Sequence, residues 1–377
     1  MTSETMASPL CTMDTSVVAE ALRHEIRRNV SLVPGVKLCL VETPGLATSE
    51  RALETALRRT STQGAPPFEA AALVATVRSA AGAATPLAGD AVLLRRLLER
   101  HGAVVVEAQR FESAAAEASA FERVRFAYTA AARPAIEAAL GALRDGPPRC
   151  ADAPPPPAAD ALWGTSLDVA WGARPPRVAI FVSSHLHVAE ALLAAHKRGD
   201  FGDAVFAVVV SNHADAEALA KLHGLPFVHV PVTRATRDAA EAQQLKLLAD
   251  HDIDVVVLAR YMQVLSPSFC AAYQHRVINV HHSLLPAFAG GRPHRQAYDR
   301  GVKLIGATAH YATADLDDGP IISQAAAPCG HADDVKSLTR KGAVLESRVA
   351  EAALRAHLEG RIIVDGRRTV VFDAAEP

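Results

Sequence analysis

Continuous apolar runs alternate with amphipathic segments between residues 177 and 259. The apolar runs have the composition of strands that are buried on both faces of a parallel sheet. They are RVAIFVS (177–183), AVFAVVVS (204–211), PFVHVPV (226–232) and DVVVLA (254–259). Between them, apolar residues recur at helical spacing. The alternation predicts a doubly wound parallel-sheet α/β domain over residues 175–377, with ligands bound beyond the carboxyl ends of its strands.

The pattern changes in the last quarter of the chain. LIGATAHY (304–311) and PIISQAA (320–326) predict two strands around a polar loop. Residues 332–358 predict a long helix, because apolar positions recur there with the helical period. GRIIVDGRRTVVF (360–372) predicts a closing hairpin that turns at Asp365–Gly366.

A second pattern precedes this domain. AALVATVR (71–78) predicts a strand, residues 93–113 predict a helix and a strand, FERVRFAY (121–128) predicts another strand, and AIEAALGAL (135–143) predicts a helix. This β-α-β-β-α order is part of a ferredoxin-like α+β unit. We therefore predict a domain over residues 67–147.

The remaining segments are an extension and a spacer. Residues 1–66 have no legible pattern, so they are taken as an N-terminal extension of unknown fold. Residues 148–174 contain Pro154–Pro157, and consecutive prolines favour an extended spacer because they donate no backbone hydrogen bonds. A Pro-rich linker is therefore predicted at 148–174.

Composition narrows the class of function. The formal net charge of −2 gives no basic field for nucleic acid, and no apolar run is long enough to cross a bilayer. The 5 cysteines have no paired spacing, which favours reduced thiols and gives no zinc motif. The first residues lack the basic and apolar regions of a secretory signal, so we expect a cytoplasmic protein, with organellar targeting left open. The expected partner is a small molecule.

Three polar side chains near the predicted sheet edge suggest acyl-transfer chemistry. Asn279 and His281 lie two residues apart, so both leave the same face of an extended segment. An amide and a protonated imidazole can stabilise an oxyanion, and a carboxylate such as Asp317 can orient and charge the imidazole. Asp318 is adjacent to Asp317, and the residues alone do not choose between them. His282 is expected on the opposite face from His281, which argues against a shared metal ion.

Four motifs occur in one order with consistent spacing. They are ARYMQVLSPSF (259–269), INVHHSLLPAF (278–288), GATAHY (306–311) and LDDGPII (316–322). Together they resemble the folate-dependent formyltransferase fold family, and the double histidine with PAF resembles its formyltetrahydrofolate deformylase branch. The resemblance covers roughly half of the chain. It implies hydrolysis of 10-formyltetrahydrofolate to formate and tetrahydrofolate, in one-carbon metabolism.

The resemblance also implies roles for individual residues. It selects Asp317 as the carboxylate that acts with Asn279 and His281. It implies that His282, His310 and His187 position water or support the catalytic histidine. It implies a folate site formed by two segments of the chain. The residues of that site are Tyr261, Met262, Gln263, Val264, Leu265, Ala312, Thr313, Ala314, Asp315 and Leu316.

Further expectations from the resemblance are an ACT-like regulatory or assembly domain at residues 67–147, a homo-oligomer, no metal and no tightly bound cofactor. The usual Asp-x-x-Gly turn of an ACT domain is replaced by AAGAATPLAGD (80–90), which leaves amino-acid binding open. The identity of the formyl acceptor is also open, because Ser184–His185 and PHRQA (293–297) depart from the deformylase pattern. The alternatives are an N-formyltransferase acting on a small amine and a non-catalytic folate-sensing module.

Overall fold

The computed structural model describes residues 68–78, 90–112, 119–145, 166–171, 174–287 and 293–374. The chain divides into two compact units, with the boundary between Ala173 and Arg174. The extension at residues 1–66 lies outside the described residues. Within the described ranges, no helix is both long and apolar enough to cross a membrane.

The first unit contains an antiparallel sheet with strand order β2-β3-β1-β4. Its elements are β1 (Phe68–Arg78), α1 (Asp90–Arg100), β2 (Val104–Glu112), β3 (Ser119–Thr129), α2 (Arg133–Asp145) and β4 (Ser166–Trp171). Both helices pack on one face of the sheet, where Leu98 and Ile136 meet alternate residues of β3, including Val124 and Phe126. The β-α-β-β-α-β order extends the predicted pattern by one strand. An ACT-like role for this unit stays a prediction.

Strand β4 corrects the predicted linker at its C-terminal end. Residues 166–171 fall inside the segment 148–174, yet they pair with β1 from Ala71↔Trp171 to Thr76↔Ser166. The strand has only six residues, and the proline run before it dominates the local composition. A short edge strand of this kind gives too weak an alternation to be separated from a spacer.

The second unit is built on a seven-stranded sheet of order β11-β10-β9-β8-β5-β6-β7. Its strands are β5 (Arg177–Val182), β6 (Val205–Ser211), β7 (Phe227–His229), β8 (Val255–Ala259), β9 (Val277–His281), β10 (Leu304–Tyr311) and β11 (Ile321–Pro328). Its α-helices are α3 (His187–Lys197), α4 (Glu217–Leu222), α5 (Arg237–Asp250), α6 (Pro267–Ala272), α7 (Pro293–Asp299) and α8 (Val335–Leu358). A short 3-10 turn precedes α4, and a hairpin of β12 (Ile362–Asp365) and β13 (Arg368–Val371) closes the chain, turning at Gly366–Arg367, one residue later than predicted.

Alternate residues of the central strand β5 enter two separate hydrophobic cores. Ile180 and Val182 face α3 and α8, whereas Phe181 faces α5 and α6. Each of these side chains is fully buried, and burying one contributes about 1.5–3 kcal/mol. Helices therefore cover both faces of the sheet, as the continuous apolar runs predicted.

Most of the sheet is parallel, but β10 is not. The pairs β6–β7, β5–β6, β5–β8 and β8–β9 are parallel, whereas β10 is antiparallel to both β9 and β11. The prediction of a doubly wound parallel sheet is confirmed for the alternating part and needs this one correction. The order of strands reverses between β5 and β8, so the crevice where such folds bind ligands lies at the carboxyl ends of these two strands, next to the end of β9.

Candidate active site

The pairing of β9 with β10 sets two polar side chains opposite each other. Asn279 is the cross-strand partner of His310, and their side chains lie on one face of the sheet. The distance from Asn279 Nδ2 to His310 Nε2 is 3.0 Å. His310 Nδ1 lies 2.9 Å from the carbonyl oxygen of Tyr311 and donates to it, which leaves Nε2 to accept from the amide. One amide hydrogen of Asn279 is thus fixed.

A tight loop after β10 brings Asp317 to the same place. Asp317 Oδ1 lies 3.2 Å from His281 Nδ1 and 3.5 Å from Asn279 Nδ2. Asp317 has a φ of 56°, a left-handed conformation that aspartate adopts more readily than most residues. Gly319 lets the loop fold onto β10, because a Cβ there would lie 1.7 Å from the carbonyl oxygen of Tyr311.

The neighbouring carboxylate faces elsewhere. Asp318 pairs with the exposed Arg367 of the closing hairpin, at 2.5 Å. The hydrogen bond with His281 is the main reason that the pKa of Asp317 lies well below its usual range, against the effect of burial. Asp317 is therefore the ionised carboxylate of this cluster.

His281 has one ring nitrogen in contact with the carboxylate and one without a partner. The residue is 6% exposed, and Nε2 is buried with no hydrogen-bond partner in the part of the chain that the structure describes. An unpaired buried polar atom costs about 1–3 kcal/mol. Because the residue also lines a cavity, a ligand bound there could supply the missing partner after a small movement of the ring.

His282 lies beside His281 rather than across the strand from it. Strand β9 ends at His281, so the chain turns and both rings line the same cavity, with centroids 4.8 Å apart. The expectation that they point to opposite faces is wrong. Burial, together with the charges of Arg260 and His281, lowers the pKa of His282 to about 4, so its ring is neutral at neutral pH.

The cavity has a volume of about 820 Å³, within the range of small-molecule sites. Every residue predicted to bind folate lines it except Ala314. Tyr261 and Leu265 are buried in the core beneath it. Met262, at 59% exposure, and Leu316, at 67% exposure, present apolar side chains to the opening. Their exposure distinguishes them from ordinary core residues and suits them to cover an apolar ligand.

Comparisons with known proteins identify relatives of the second unit. The family model described as Formyl transferase matches residues 176–354. The formyltetrahydrofolate deformylase of Bacillus subtilis is 47% identical over 197 residues, which are 52% of this chain and 65% of the relative. That of Escherichia coli K12 is 39% identical over 196 residues, which are 52% of this chain and 70% of the relative. The chain thus spans slightly less than two thirds of the Bacillus relative.

A solved structure extends the match to both units. The crystal structure of the formyltetrahydrofolate deformylase from Burkholderia mallei has a TM-score of 0.67 and 35% identity, and it covers 81% of this chain and 100% of its own. The chain belongs to the formyltetrahydrofolate deformylase family. The resemblance carried by the four motifs is confirmed, as is the formyltransferase-like α/β fold.

Three residues near the cavity were absent from the predicted site. Arg260 follows β8, His294 lies in the first turn of α7, and both line the cavity. Glu346 lies on the buried face of α8, at 3% exposure. An acidic residue within the apolar stripe of a helix was the available signal for Glu346. The sequence also contained a signal for Arg260, because this residue follows the carboxyl end of a buried strand, where such folds bind ligands.

His187 takes a different position from the predicted one. It begins α3, and its Nε2 donates to Glu346 Oε2 at 2.8 Å. The ring is not among the side chains that line the cavity. Any effect of His187 on water therefore passes through Glu346.

Within the described ranges, no group of three or more His, Cys, Asp or Glu side chains is arranged to hold a metal ion.

Proposed function

We propose that this protein hydrolyses 10-formyltetrahydrofolate to formate and tetrahydrofolate. The observation that carries the proposal is His281, whose Nε2 has no hydrogen-bond partner among the described residues and which lines a cavity of about 820 Å³ together with Asn279 and Asp317. The relatives in this family carry the name of that activity. The residues and the mechanism follow from the arrangement of the site.

The substrate is held by the two segments predicted for folate. The pterin lies between residues 261–265 and 312–316, where backbone groups satisfy its polar edges. Met262 and Leu316 cover its apolar surface. This placement directs the formyl group toward His281.

Asn279 and His281 stabilise the oxyanion. Protonated His281 donates from Nε2, and its Nδ1 donates to the ionised Asp317. The second amide hydrogen of Asn279 makes a long contact with Asp317, at 3.5 Å, and in the proposed mechanism it donates to the oxyanion instead. Asp317 stabilises the imidazolium and fixes its orientation.

Neutral His282 accepts a proton from the attacking water as the new C–O bond forms. Collapse of the tetrahedral intermediate breaks the bond between the formyl carbon and N10. His281 donates a proton to N10 and recovers one from the formic acid product. The balance is one water consumed, with tetrahydrofolate, formate and one proton released.

The decisive experiment is incubation of the purified protein with 10-formyltetrahydrofolate and no amine. We expect formate and tetrahydrofolate in equal amounts, with no loss of rate after exhaustive chelation. His281→Ala is expected to lose most of the rate, about 100-fold or more, whereas the matched surface variant His331→Ala keeps it. Strict dependence on an added amine would favour the formyltransferase alternative. Folate binding without turnover would favour the sensing module.

A further inference from the structure

A second buried charged group lies beside the cavity, separate from Asp317. Glu346 Oε2 accepts a hydrogen bond from His187 at 2.8 Å and lies 3.5 Å from Arg260 Nε. Glu346 Oε1 lies 3.9 Å from His294 Nε2. Arg260 and His294 line the cavity next to His282, whereas Glu346 lies behind them. The proposed reaction assigns no role to this group.

Two backbone features fix the positions of Arg260 and His294. Arg260 has a φ of 62°, and its carbonyl oxygen accepts from Ser183 N at 3.3 Å. His294 lies directly over the backbone of α8 at Gly342, where a Cβ would be 2.3 Å from His294 Cε1. Gly342 is one helical turn before Glu346, so the same helix supplies the space for the ring and the carboxylate that faces it.

The charges in this group compensate one another. Burial raises the pKa of Glu346, but the hydrogen bond from His187, the nearby His294 and the charge of Arg260 outweigh it and lower that pKa to about 2. Glu346 is thus ionised, and it is the counter-ion of Arg260. Removing one partner of a buried ion pair leaves an uncompensated charge, which makes the position of Arg260 depend on Glu346.

We propose that Glu346 is a positioning residue that holds Arg260 and His294 around His282, so that this part of the cavity accepts water and excludes amines. The inference rests on the proposed hydrolysis. A water molecule is small and neutral, so it can donate to neutral His282 while it accepts from a cation. An ammonium ion is repelled by Arg260, and a larger neutral amine meets the rings of His282 and His294, whose centroids are 6.3 Å apart.

The test begins with Glu346→Gln, which keeps the shape of the side chain and removes its charge. We expect kcat for hydrolysis to fall roughly 10- to 100-fold, because a misplaced reacting group costs about that much. KM for 10-formyltetrahydrofolate should stay within about twofold, because the polar partners of Glu346 are His187, Arg260 and His294, which lie outside the two segments proposed to hold folate. Glu351→Gln is the matched control on the same helix, where Glu351 lies 3.8 Å from Arg198, and it should behave as the wild type.

A second measurement distinguishes a positioning role of Glu346 from a merely structural one. It determines how the formyl group is divided between water and an added amine. Hydrolysis is run with added hydroxylamine, and formate is compared with formylhydroxylamine. Glu346→Gln should raise the fraction transferred to hydroxylamine about fivefold or more, and Glu346→Asp should restore part of the preference for water. Gly342→Ala displaces the His294 ring without removing a charge and should shift the partition in the same direction.

The outcomes distinguish this inference from the proposed function. If the wild type forms no formate without an amine, the proposed hydrolysis fails and this inference fails with it. If the wild type hydrolyses its substrate, but both Glu346→Gln and Gly342→Ala keep its rate and partition, only the role of Glu346 is overturned. If Glu346→Gln does not fold, Gly342→Ala alone decides between these results.

Discussion

Two carboxylates lie at or behind the same cavity, and they differ in the charge of the groups that they face. Asp317 contacts His281, whose second nitrogen has no partner within the described part of the chain. Glu346 contacts His187 and Arg260 through Oε2, and its Oε1 lies 3.9 Å from His294 Nε2. Within the described part of the chain Arg260 Nε has no hydrogen-bond partner either, so both clusters have hydrogen-bonding capacity to offer a ligand. They differ in charge, because Glu346 faces a permanent cation whereas Asp317 faces a histidine that can gain and lose a proton. The proposed mechanism therefore uses the groups around Asp317, and Glu346 is proposed to hold their surroundings in place.

The largest effect on activity is expected from Asp317→Asn. The change keeps the shape of the side chain but removes the charge that stabilises a protonated His281, so kcat should fall about 100- to 1000-fold. Steady-state kinetics with 10-formyltetrahydrofolate measures the effect. Asp318→Asn is the matched control, because Asp318 pairs with the exposed Arg367, and its kcat should stay within about twofold. Equal losses in the two variants would contradict the assignment of Asp317.

The next largest effect is expected from Gly319→Ala, which moves the loop without touching a charge. The new Cβ would lie 1.7 Å from the carbonyl oxygen of Tyr311, so the loop must shift and carry Asp317 away from His281. We expect the free energy of unfolding to fall by roughly 2 kcal/mol and kcat to fall about tenfold or more.

Gly330→Ala is the control for that variant, because its Cβ would have its nearest neighbour, Asp333 Oδ2, at 3.7 Å. Chemical denaturation and steady-state kinetics are measured on both proteins. A Gly319→Ala protein with normal kcat would show that the precise path of the loop does not control the carboxylate.

The two clusters were not equally predictable from the sequence. Asn279 and His281 could be found because their two-residue spacing places both on one face of a strand. Spacing could not choose between Asp317 and Asp318, since the choice depends on a left-handed residue and on a loop that folds onto β10. The relation of His281 to His282 was missed because it depends on where β9 ends.

Glu346 was missed for a different physical reason. An acidic residue in a helix of 24 residues is ordinarily solvated, and only its neighbours Leu345 and Val349 show that this face of α8 is buried. Its partners Arg260 and His187 are far away in the sequence, so their convergence is a property of the fold. The parallel sheet was predictable because its apolar runs are local, whereas the antiparallel direction of β10 depends on pairing between distant segments.

A smaller effect is expected from pH, which should change the free energy of unfolding gradually. Burial lowers the pKa of His282 and of His357 to about 4, against an ordinary value near 6.5. Between pH 6.5 and 4 the unfolded chain binds protons at these residues that the folded chain does not, so stability falls as pH falls. Each residue contributes a slope of about 1.4 kcal/mol per pH unit within that interval.

Variants of His282 and His357 test this dependence of stability on pH. His282→Gln and His357→Gln should each reduce the slope of unfolding free energy against pH, measured by denaturation between pH 4.5 and 6.5. Only His282→Gln should also lower kcat, because His357 bonds to the hydroxyl of Tyr311 and does not line the cavity. An unchanged slope in both variants would show that neither ring is held neutral.

The smallest effect is expected at the opening of the cavity. Met262 is 59% exposed and lines the cavity at a distance from the reacting groups of the proposed mechanism. Met262→Ala should therefore raise KM about three- to fivefold and leave kcat unchanged, since it removes apolar contact made equally by substrate and transition state. Leu222→Ala, at the 81% exposed end of α4 and outside the cavity, should change neither constant. Because Asp317→Asn should act on kcat and Met262→Ala on KM, a fall in kcat without a change in KM for Met262→Ala would mean that the opening helps to align the formyl group.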